Sequence, residues 1–501
     1  MKWKTDLPNF GRKYSCTLLL WLLFAAHLPF LAADPDANIS FSRGPFTDEG
    51  LNTIQVRNWI NHGDLDLAEC DNLLKTPLLG FSLALTYKIF GTGHMVSRLH
   101  VMLFLLAAMY SICLDRKHRR FLIIFIGITL LQYQVFQFSH FSLAEMLSCA
   151  SILLAVHFLA KSADLQYEQT PRRNYAILSG IFLSLSWFFK IQFIYLAVLF
   201  PLVQLSYLPV AKPLTRKLII RQGMFTSATL LTFLFMYFIA WYLPNREIYD
   251  FMMASQSGEF SISGKSLEYL GFNLSQFFLR GWILIFVIVF LASFAAGLFL
   301  LRNKSHTSRF PILFLTSFFW FLLETHKLLM VYLPTRYRIS LYVSMGLLIS
   351  VVLSEILSNR KMSKTAGKQL FLLKSFAIGS LAILLAINTF NYYSTLKNRT
   401  FVMRDLNAYL AESMKPDDVA LGAWAPSLTW ESKARALPVW NNFLNYKDPV
   451  NTFKPRLIIA ETDEQDSEQA YKSQGIHLDE LADSTKTARI GQWEVRIYWM
   501  N

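Results

Sequence analysis

The sequence has little charge, few cysteines and fewer acidic than basic residues. Only 16% of its 501 residues are charged, whereas 53% are hydrophobic and 43 are Phe. This composition excludes an ordinary soluble enzyme of the same length. The four cysteines, Cys16, Cys70, Cys113 and Cys149, have no metal-binding spacing and imply no disulfide framework. We therefore predict a polytopic membrane protein.

Long apolar runs make up most of the chain as far as residue 391. They fall near residues 15–33, 95–114, 121–138, 142–160, 175–190, 191–208, 222–243, 276–301, 310–326, 338–357 and 371–391. Each run has about the length of a helix that spans a bilayer, so about eleven transmembrane helices are expected. The predicted fold class is an α-helical polytopic membrane protein.

Basic residues, which give the chain a net charge of +14, lie mainly in short connections between these runs. The connections are 115–120, 171–174, 212–221, 302–309 and 359–368. They share one side of the membrane if the spans alternate, and the positive-inside rule makes that side the cytoplasm. The charge therefore reflects topology, and no nucleic-acid partner is expected.

The same rule places the amino terminus in the cytoplasm, and an odd number of spans places the carboxy terminus outside. We expect an integral protein of the plasma (inner) membrane whose carboxy-terminal domain is extracytoplasmic (periplasmic). Residues 1–33 also have features of a cleavable signal peptide, with FLAAD as the cleavage site. Cleavage there would leave every later span in the same orientation.

The tail differs from the rest of the chain in its composition. From residue 401 it has 11 Lys and Arg against 15 Asp and Glu, a net charge of −4. Strand-like runs in DDVALGAW, KPRLIIAET and IGQWEVRIYW alternate with helix-like MRDLNAYLAESM and DSEQAYKSQG. We expect a membrane domain over 1–392 and a small soluble α/β or α+β domain over 393–501.

The first outer segment, residues 34–94, contains an acidic pair, Asp48 and Glu49. Apolar and polar residues are mixed around this pair as in a helix that lies in the headgroup plane. Thr47 is the expected N-cap, which places both carboxylates in the first turn, where the helix dipole favours negative charge. An ordinary helix start without catalytic function fits the same local pattern. A second interfacial helix is expected over about 75–90, because its apolar run is short for a span.

Ionisable and polar residues also gather at the predicted outer ends of later spans. They are Glu145, Lys190, Gln192, Glu324, His326, Lys327, Arg336, Tyr337 and Arg338. Charge near hydrocarbon is costly unless it is paired, reaches the interface or lines a wet cavity. Taken singly, Lys190 and Arg338 are expected to snorkel to the interface. Taken together, the residues predict a polar outer cavity, and the alternative is that they pair with one another to stabilise the bundle.

These residues carry a resemblance to a known superfamily. An outer acidic pair at the head of an interfacial helix, then KTPL (75–78) and KIFG (88–91), resembles the first third of GT-C glycosyltransferases that use polyprenol-linked donors. Protein O-mannosyltransferases and lipid A aminoarabinose transferases belong to this superfamily. SHFSLAEM (139–146) and YLPTRYRIS (332–340) are also similar to it, to about residue 345. Two positions depart from the pattern: Thr76 replaces a proline of K-P-P, and Ser340 replaces the proline of R-Y-x-x-P.

The resemblance implies an enzyme with a polyprenyl-phosphate sugar donor and a glycan, lipid or protein acceptor at the outer membrane surface. Asp48 would be the general base, and Glu49 would orient it, or the two acids would hold a divalent cation. Lys75, Arg336 and Tyr337 would bind the donor phosphate. Further residues would line the substrate pocket, namely Glu145, Lys190, Glu324 and Lys327.

Two other classes of protein stay open at this point. A secondary transporter or lipid-linked-sugar flippase would have ionisable residues near the middle of the membrane and weak internal repeats. An inactive scaffold that presents its tail domain would use the outer charges only as ion pairs. The outer segment 245–273, which is long and rich in Ser and Gly, is expected to be a flexible lid or an inert connection.

Overall fold

The computed structural model describes residues 7–164, 169–208, 213–256, 266–302, 307, 309–358, 367–462 and 467–500. Helices make up nearly all of the part before the tail. They are α1 (Leu7–His27), α2 (Gly44–His62), α3 (Asn72–Lys75), α4 (Pro77–Phe90), α5 (His94–Cys113), α6 (Arg119–Phe125), α7 (Tyr133–Phe138), α8 (Ala144–Ser162), α9 (Gln169–Phe189), α10 (Leu199–Tyr207), α11 (Pro213–Tyr237), α12 (Arg246–Gln256), α13 (Ser266–Phe277), α14 (Gly281–Arg302), α15 (Phe310–Glu324), α16 (Thr335–Ser358) and α17 (Gly367–Asn398).

Seven helical segments of the described chain are long and apolar enough to cross a membrane. They are His94–Cys113, Ala144–Ser162, Arg216–Met252, Gly281–Arg302, Phe310–Leu329, Thr335–Ser358 and Phe371–Ser413. Three shorter apolar helical segments, Ser15–Phe30, Pro77–Phe90 and Ile191–Tyr207, accompany them. The chain is thus an integral membrane protein of the predicted helical class, and the count of about eleven spans stays a prediction.

Two helices form the centre of the bundle. Within the apolar 18-residue stretch of each helix, 89% of α8 and 94% of α16 is buried, compared with 33% of α14. Buried Ser and Ala on α8 and buried Val, Leu and Ile on α16 allow neighbouring helices to pack on every side. Peripheral helices such as α11 and α14 leave large apolar side chains exposed, which is the pattern of a lipid-facing surface.

The apolar run 121–138 does not form one straight helix. A π-helical turn over Ile126–Leu130 follows α6, and Gln132 is extended before α7 begins. The Asn388 amide donates to the carbonyl of Gly127 at 3.0 Å, so a backbone group left over by the irregular turn has a partner. This break places 132–138 beside the first outer segment.

The tail is a small α/β domain, as predicted, built on a five-stranded sheet in the order β2-β1-β3-β5-β4. Its strands are β1 (Val419–Leu421), β2 (Arg435–Leu437), β3 (Leu457–Glu461), β4 (Ala482–Ile490) and β5 (Trp493–Met500). The first three are parallel, and β5 is antiparallel to β3 and β4. Its helices are α18 (Val402–Ser413), α19 (Ala425–Leu428), α20 (Pro449–Phe453), α21 (Ser467–Lys472) and α22 (Leu478–Leu481).

Helix α2 lies between the membrane bundle and this domain, and it is buried along most of its length. Phe46 and Ile54 belong to the core of the tail domain, whereas Val56 belongs to the core of the bundle. Helix α2 therefore joins the two cores, and its place in the headgroup plane stays a prediction. Helix α4 exposes Phe81, Leu85 and Ile89, as expected of an interfacial helix.

The predicted start of α2 was wrong. The helix begins at Gly44, with Pro45 in its first turn, and its cap residue Arg43 makes no side-chain capping bond. Thr47 lies inside the helix, where its hydroxyl donates to the carbonyl of Arg43 at 3.4 Å. The acidic pair therefore follows the first turn. Proline is tolerated at this position because its missing N–H has no helical acceptor there.

Several predicted features fall partly beyond the residues that the structure describes. Residues 257–265 of the expected lid do so, and the rest of that segment belongs to α12 and α13. Most of the basic connections 302–309 and 359–368, and the start of 212–221, also lie outside the described residues. The sidedness of the membrane and the lid therefore stay predictions.

Candidate active site

Asp48 on α2 forms an ion pair with Arg336, which is the second residue of α16. The two residues are 288 positions apart in sequence. Their side chains keep 13% and 21% exposure, so the pair is open to a ligand. Gly44 lies directly beneath, and a Cβ there would be 2.7 Å from the Asp48 carboxylate and 2.8 Å from the Arg336 guanidinium. Glycine is therefore what leaves room for this pair.

Glu49, the neighbour of Asp48, has a different environment and is almost fully buried. Arg98 on α5 donates to its two oxygens at 2.5–3.2 Å, and the backbone N–H of Ser142 donates to one of them at 2.7 Å. Burial alone would raise the pKa of Glu49, but the charge of Arg98 overcomes it and holds this pKa well below its ordinary value. Arg98 also donates to three backbone carbonyls of residues 30–33. Glu49 thus fixes α2 to the bundle.

The acidic pair does not fit a shared divalent cation. Both oxygens of Glu49 are engaged by Arg98 and Ser142, and one oxygen of Asp48 is engaged by Arg336. A cation bridging Asp48 and Glu49 would need free carboxylate lone pairs from both residues.

Tyr337 is the point around which the other predicted residues gather. Its ring centroid lies 5.1 Å from both the Lys190 ammonium and the Arg336 guanidinium carbon. Gln192 donates to its hydroxyl at 3.4 Å, and the charge of Lys75 acts on the same hydroxyl. Two cations, one on α16 and one directly after α9, thus lie at this aromatic ring, and Lys75 of α3 adds its charge nearby.

Each of these cations has an acidic partner. Lys190 donates to Glu145 at 2.5 Å, and Lys75 forms an ion pair with Asp71 one helical turn earlier. The predicted residues therefore do pair with one another. The side chains of Lys75 and Lys190 nevertheless keep 22% and 12% exposure, so both remain accessible.

Lys327 and Glu324 form a deeper pair, with a separation of 2.5 Å. Glu324 has no exposed surface and also accepts from the Ser340 hydroxyl at 2.5 Å and the Trp320 indole at 3.2 Å. Lys327 donates to the backbone carbonyl of Tyr337 at 3.3 Å. Glu324 therefore holds Lys327, which in turn contacts the segment that carries Arg336.

Neither Lys190 nor Arg338 snorkels to the interface, contrary to the expectation for each taken singly. Lys190 turns inward to Glu145, as described above. Arg338 is 5% exposed, lies 4.0 Å from the Phe277 ring centroid and donates to the Thr335 hydroxyl at 2.6 Å. A basic side chain turns inward where it finds acceptors or an aromatic face there.

An apolar cleft of about 1020 Å³ begins next to the ion pairs. Ile191, Ile194, Phe235 and Phe238 line it, between the segment after α9 and α11. At its edge Tyr249 donates to the carbonyl of Leu74 at 2.5 Å, so the cleft is joined to the residue before Lys75. The cations thus lie at one end of a long apolar surface.

A second cluster of titratable residues lies at the opposite end of α5 and α8. Asp115, His118 and His157 hold possible ligand atoms within 4.8 Å of one another, a set compatible with a divalent cation. Arg309 donates to Asp115 at 2.7 Å and contacts the Nε2 atom of His118 at 3.0 Å. Since α5 has 20 residues, the cluster is about 30 Å along this helix from the end that begins at His94.

Sequence reasoning missed several residues that shape the site. The Asp71 partner of Lys75 has the i, i+4 spacing of a helical ion pair and could have been found. Gly44 and the contact between Glu49 and Arg98 have no local signal, because they depend on how α2 meets α5 and α16.

Comparisons with known proteins bear on the fold alone. Neither models of protein families nor curated proteins match the sequence. The structure is similar to ArnT from Cupriavidus metallidurans in the apo state, with a TM-score of 0.60 and 16% identity over 96% of this chain and 98% of that one. For ArnT bound to undecaprenyl phosphate the TM-score is 0.57 and the identity is 14%, and the match covers 96% of this chain and 97% of that one.

The Archaeoglobus fulgidus oligosaccharyltransferase in complex with Zn and sulfate is also similar, with a TM-score of 0.50 and 10% identity. That match covers 88% of this chain and 68% of the oligosaccharyltransferase. The chain therefore shares the fold of ArnT and of this oligosaccharyltransferase, as the outer motifs predicted.

Proposed function

We propose that this protein is an integral membrane glycosyltransferase that uses a polyprenyl-phosphate-linked sugar as donor. The sugar is moved to a hydroxyl group of a glycan, lipid or protein at the outer membrane surface. The observation that carries the proposal is the partly exposed pair of Asp48 and Arg336, beside further cations at the end of an apolar cleft. The bound undecaprenyl phosphate of ArnT, which shares the fold, supports this class of donor.

The cleft and the cations suit the two parts of such a donor. An isoprenoid tail is apolar and stays in lipid, so it fits the surface formed by Ile191, Ile194 and Phe235. The phosphate is then beside Lys190, which directly precedes the cleft, and beside Lys75. Arg336 adds a planar guanidinium that can bind two phosphate oxygens at once.

Asp48 serves as the general base in this proposal. The acceptor hydroxyl oxygen attacks the anomeric carbon of the donor, and Asp48 takes its proton. The bond from the anomeric carbon to the phosphate oxygen breaks, and polyprenyl phosphate leaves with the electron pair. One displacement inverts the anomeric centre, and no covalent sugar–enzyme intermediate forms. Arg336 and Lys75 stabilise the charge on the leaving phosphate.

Donor binding also changes the basicity of Asp48, because the donor phosphate disturbs the ion pair between Asp48 and Arg336. A phosphate that binds Arg336 competes with Asp48 for the same guanidinium. Asp48 then loses a positive neighbour that favours its charged form, so its affinity for a proton rises. Donor binding thereby makes Asp48 a better base at the moment when the acceptor must be deprotonated.

The remaining predicted residues have positioning roles in this proposal. Glu49 holds α2 against α5 through Arg98, while Glu324 holds Lys327 beside the backbone of Tyr337. Glu145 restrains Lys190 until the donor phosphate arrives. The acidic pair gives no support for a cation at Asp48, so the proposed reaction uses only side chains.

The transporter or flippase alternative has less support. It predicts ionisable groups near mid-membrane, whereas Glu145, Glu324 and Arg336 lie at helix ends. The pairing of Lys75, Lys190 and Arg336 with carboxylates fits the scaffold alternative as well. A sugar-transfer assay separates it from the enzyme.

Glycolipids and glycans should be compared between a strain that carries the gene and a deletion strain. The proposal expects one sugar modification to disappear on deletion, to return with the wild-type gene, and to stay absent with a gene encoding Asp48→Asn. The missing modification identifies both sugar and acceptor for transfer assays with purified protein. An unchanged set of glycans and glycolipids, or full restoration by Asp48→Asn, would contradict the proposal.

A further inference from the structure

A separate pocket of about 310 Å³ opens on the side of the bundle, between α14 and α17. We call it the lateral pocket; the linker 36–38 and residues 132–134 complete its wall. It shares no lining residue with the apolar cleft. Its volume is at the lower end of the range for ligand sites, about 300–1,000 Å³. The glycosyl transfer proposed above makes no use of it.

The lining of the lateral pocket changes from polar to apolar with depth. Helix α17 runs toward the tail domain, and along it apolar Leu384 and Ile387 precede Asn391 and Ser394. Helix α14 runs in the opposite sense and contributes Phe286 at the deeper level. The pocket is therefore polar near the outer surface and apolar toward the membrane interior, which is the arrangement of a lipid molecule.

Two polar groups in the lateral pocket have bonding capacity to spare. The Asp36 carboxylate accepts from the backbone N–H of Asn38 at 2.8 Å, and it has no ion-pair partner in the described part of the chain. The Tyr133 hydroxyl is buried next to this carboxylate and can also accept from a ligand hydroxyl. A carboxylate has about four acceptor sites, so Asp36 can accept from a ligand hydroxyl as well as from Asn38.

The charge of the lateral pocket limits the kind of headgroup. Its lining includes one carboxylate and several amides but neither Lys nor Arg. A phosphate would meet a negative charge with no cation to balance it, whereas sugar hydroxyls can donate to Asp36 and exchange hydrogen bonds with Asn and Gln amides. Trp282 at the rim is 52% exposed and offers an aromatic face to a sugar ring.

We propose that the lateral pocket binds a membrane lipid with an uncharged sugar headgroup, at a site distinct from that of the donor phosphate. The sugar ring lies among Asp36, Tyr133 and Asn391, and the lipid tail follows Phe286 and Leu384 into the bilayer. The binding itself does not depend on the proposed enzymatic activity.

The test uses the full chain in phosphatidylcholine nanodiscs that contain a minority of monoglucosyl diacylglycerol. After extraction into a detergent without a sugar headgroup, native mass spectrometry counts the lipids retained by each protein molecule. The wild-type protein should retain the glucosyl lipid in preference to phosphatidylcholine. Asn391→Leu, which removes one sugar contact, should lower this retention about 5-fold.

Ser394→Phe fills the lateral pocket and should abolish the preference. Thr389→Phe adds the same ring to an exposed position of the same helix and should leave the preference unchanged. Asp36→Asn should also lower retention of the glucosyl lipid. Because it is a smaller change than Ser394→Phe, it tests the lateral pocket even if the larger variant misfolds.

Equal retention of the two lipids by the wild-type protein would overturn the proposal, as would unchanged retention by both Ser394→Phe and Asp36→Asn. Free methyl glucoside is the soluble competitor. The proposal expects it to compete poorly, because it lacks the tail. Displacement at concentrations similar to those of the lipid would refute a lipid occupant in favour of a soluble sugar.

Discussion

Asp48→Asn distinguishes a catalytic carboxylate from a merely structural one. Asparagine has nearly the same size, keeps an oxygen that can accept from Arg336, and cannot take up the acceptor proton at neutral pH. The change therefore removes charge and basicity but leaves the shape of the site almost intact.

The two roles predict effects of different size. The Asp48–Arg336 pair is partly exposed, so loss of its charge should cost about 1–2 kcal/mol of stability, between the values for surface and buried pairs. A general base contributes about 10²- to 10⁴-fold in rate, or about 3–5 kcal/mol in the transition state. A loss of transfer of at least about 100-fold in a protein that still inserts and folds is the expected result.

Glu49→Gln is the matched control, since it is the same chemical change at the adjacent position. It leaves the Arg98 guanidinium, which is 1% exposed, without a full countercharge. The expected cost is about 3–5 kcal/mol of folding stability. Glu49→Gln should therefore fold poorly, whereas Asp48→Asn should fold and lack activity. The assay is sugar transfer by purified variants, with thermal unfolding measured in the same detergent.

A double variant separates the general-base role of Asp48 from a role in neutralising charge. If Asp48 and Arg336 serve only to neutralise each other, then Asp48→Asn combined with Arg336→Gln should recover much of the lost activity, because no unpaired charge remains. The general-base role predicts that the double variant is as inactive as Asp48→Asn or more so. Substantial transfer by Asp48→Asn alone, or recovery in the double variant, would refute the assignment.

Three further predictions concern the phosphate site, the domain contact and the topology. Arg336→Ala should reduce transfer tens- to hundreds-fold, or about 2–3 kcal/mol in the transition state, with little loss of folding. Arg338 is buried, so Arg338→Ala should chiefly lower the unfolding temperature. Equal, small effects of the two variants on transfer and on unfolding temperature would contradict this prediction. Gly50→Ala places a Cβ 2.5–2.6 Å from the backbone of Ser427 and Pro426. The variant should therefore transfer less sugar, and its tail domain should be more sensitive to protease than that of the wild type. Unchanged proteolysis would contradict the close contact. A reporter fused after Asn501 should be active outside the cytoplasm and one inserted within 359–368 inside it, and activity of both on one side would reject the topology.

The elements that the sequence predicted well are those with a strong local pattern. The apolar runs are mostly helical where the structure describes them, although the run 121–138 is interrupted at 131–132. The buried strands β1, β3 and β5 coincide with the predicted strand-like runs. Strand β4 was missed because ADSTKTARI is polar and mostly exposed, so it lacks the alternation that marks a strand with one buried face. The predicted start of α2 was four residues too late, because Thr47 is a residue type typical of an N-cap, whereas the observed cap residue, Arg43, is not.

The fold brings several of the predicted site residues together, but the contacts of each residue could not be predicted from the sequence. The resemblance singled out Asp48 and Arg336, which the fold joins although 288 positions separate them. Nothing in the local sequence indicates that Glu49 faces Arg98 while Asp48 faces Arg336, since a helical residue and its neighbour point about 100° apart. The partner of each charge is decided by helix packing, and a single sequence without homologues contains no record of that packing.

The position of α2 between two cores also affects the order in which the protein can mature. Helix α2 is synthesised early, yet Arg57 donates to the carbonyl of Pro426, 369 positions later, and Asn58 bonds with Ala436. Contacts this distant in sequence form only after the intervening chain has been made and inserted. One face of the helix that carries Asp48 thus stays uncovered until the tail domain has been made and has folded. Chains interrupted at any membrane segment would expose that face to proteases, and only a finished chain would have a completed site.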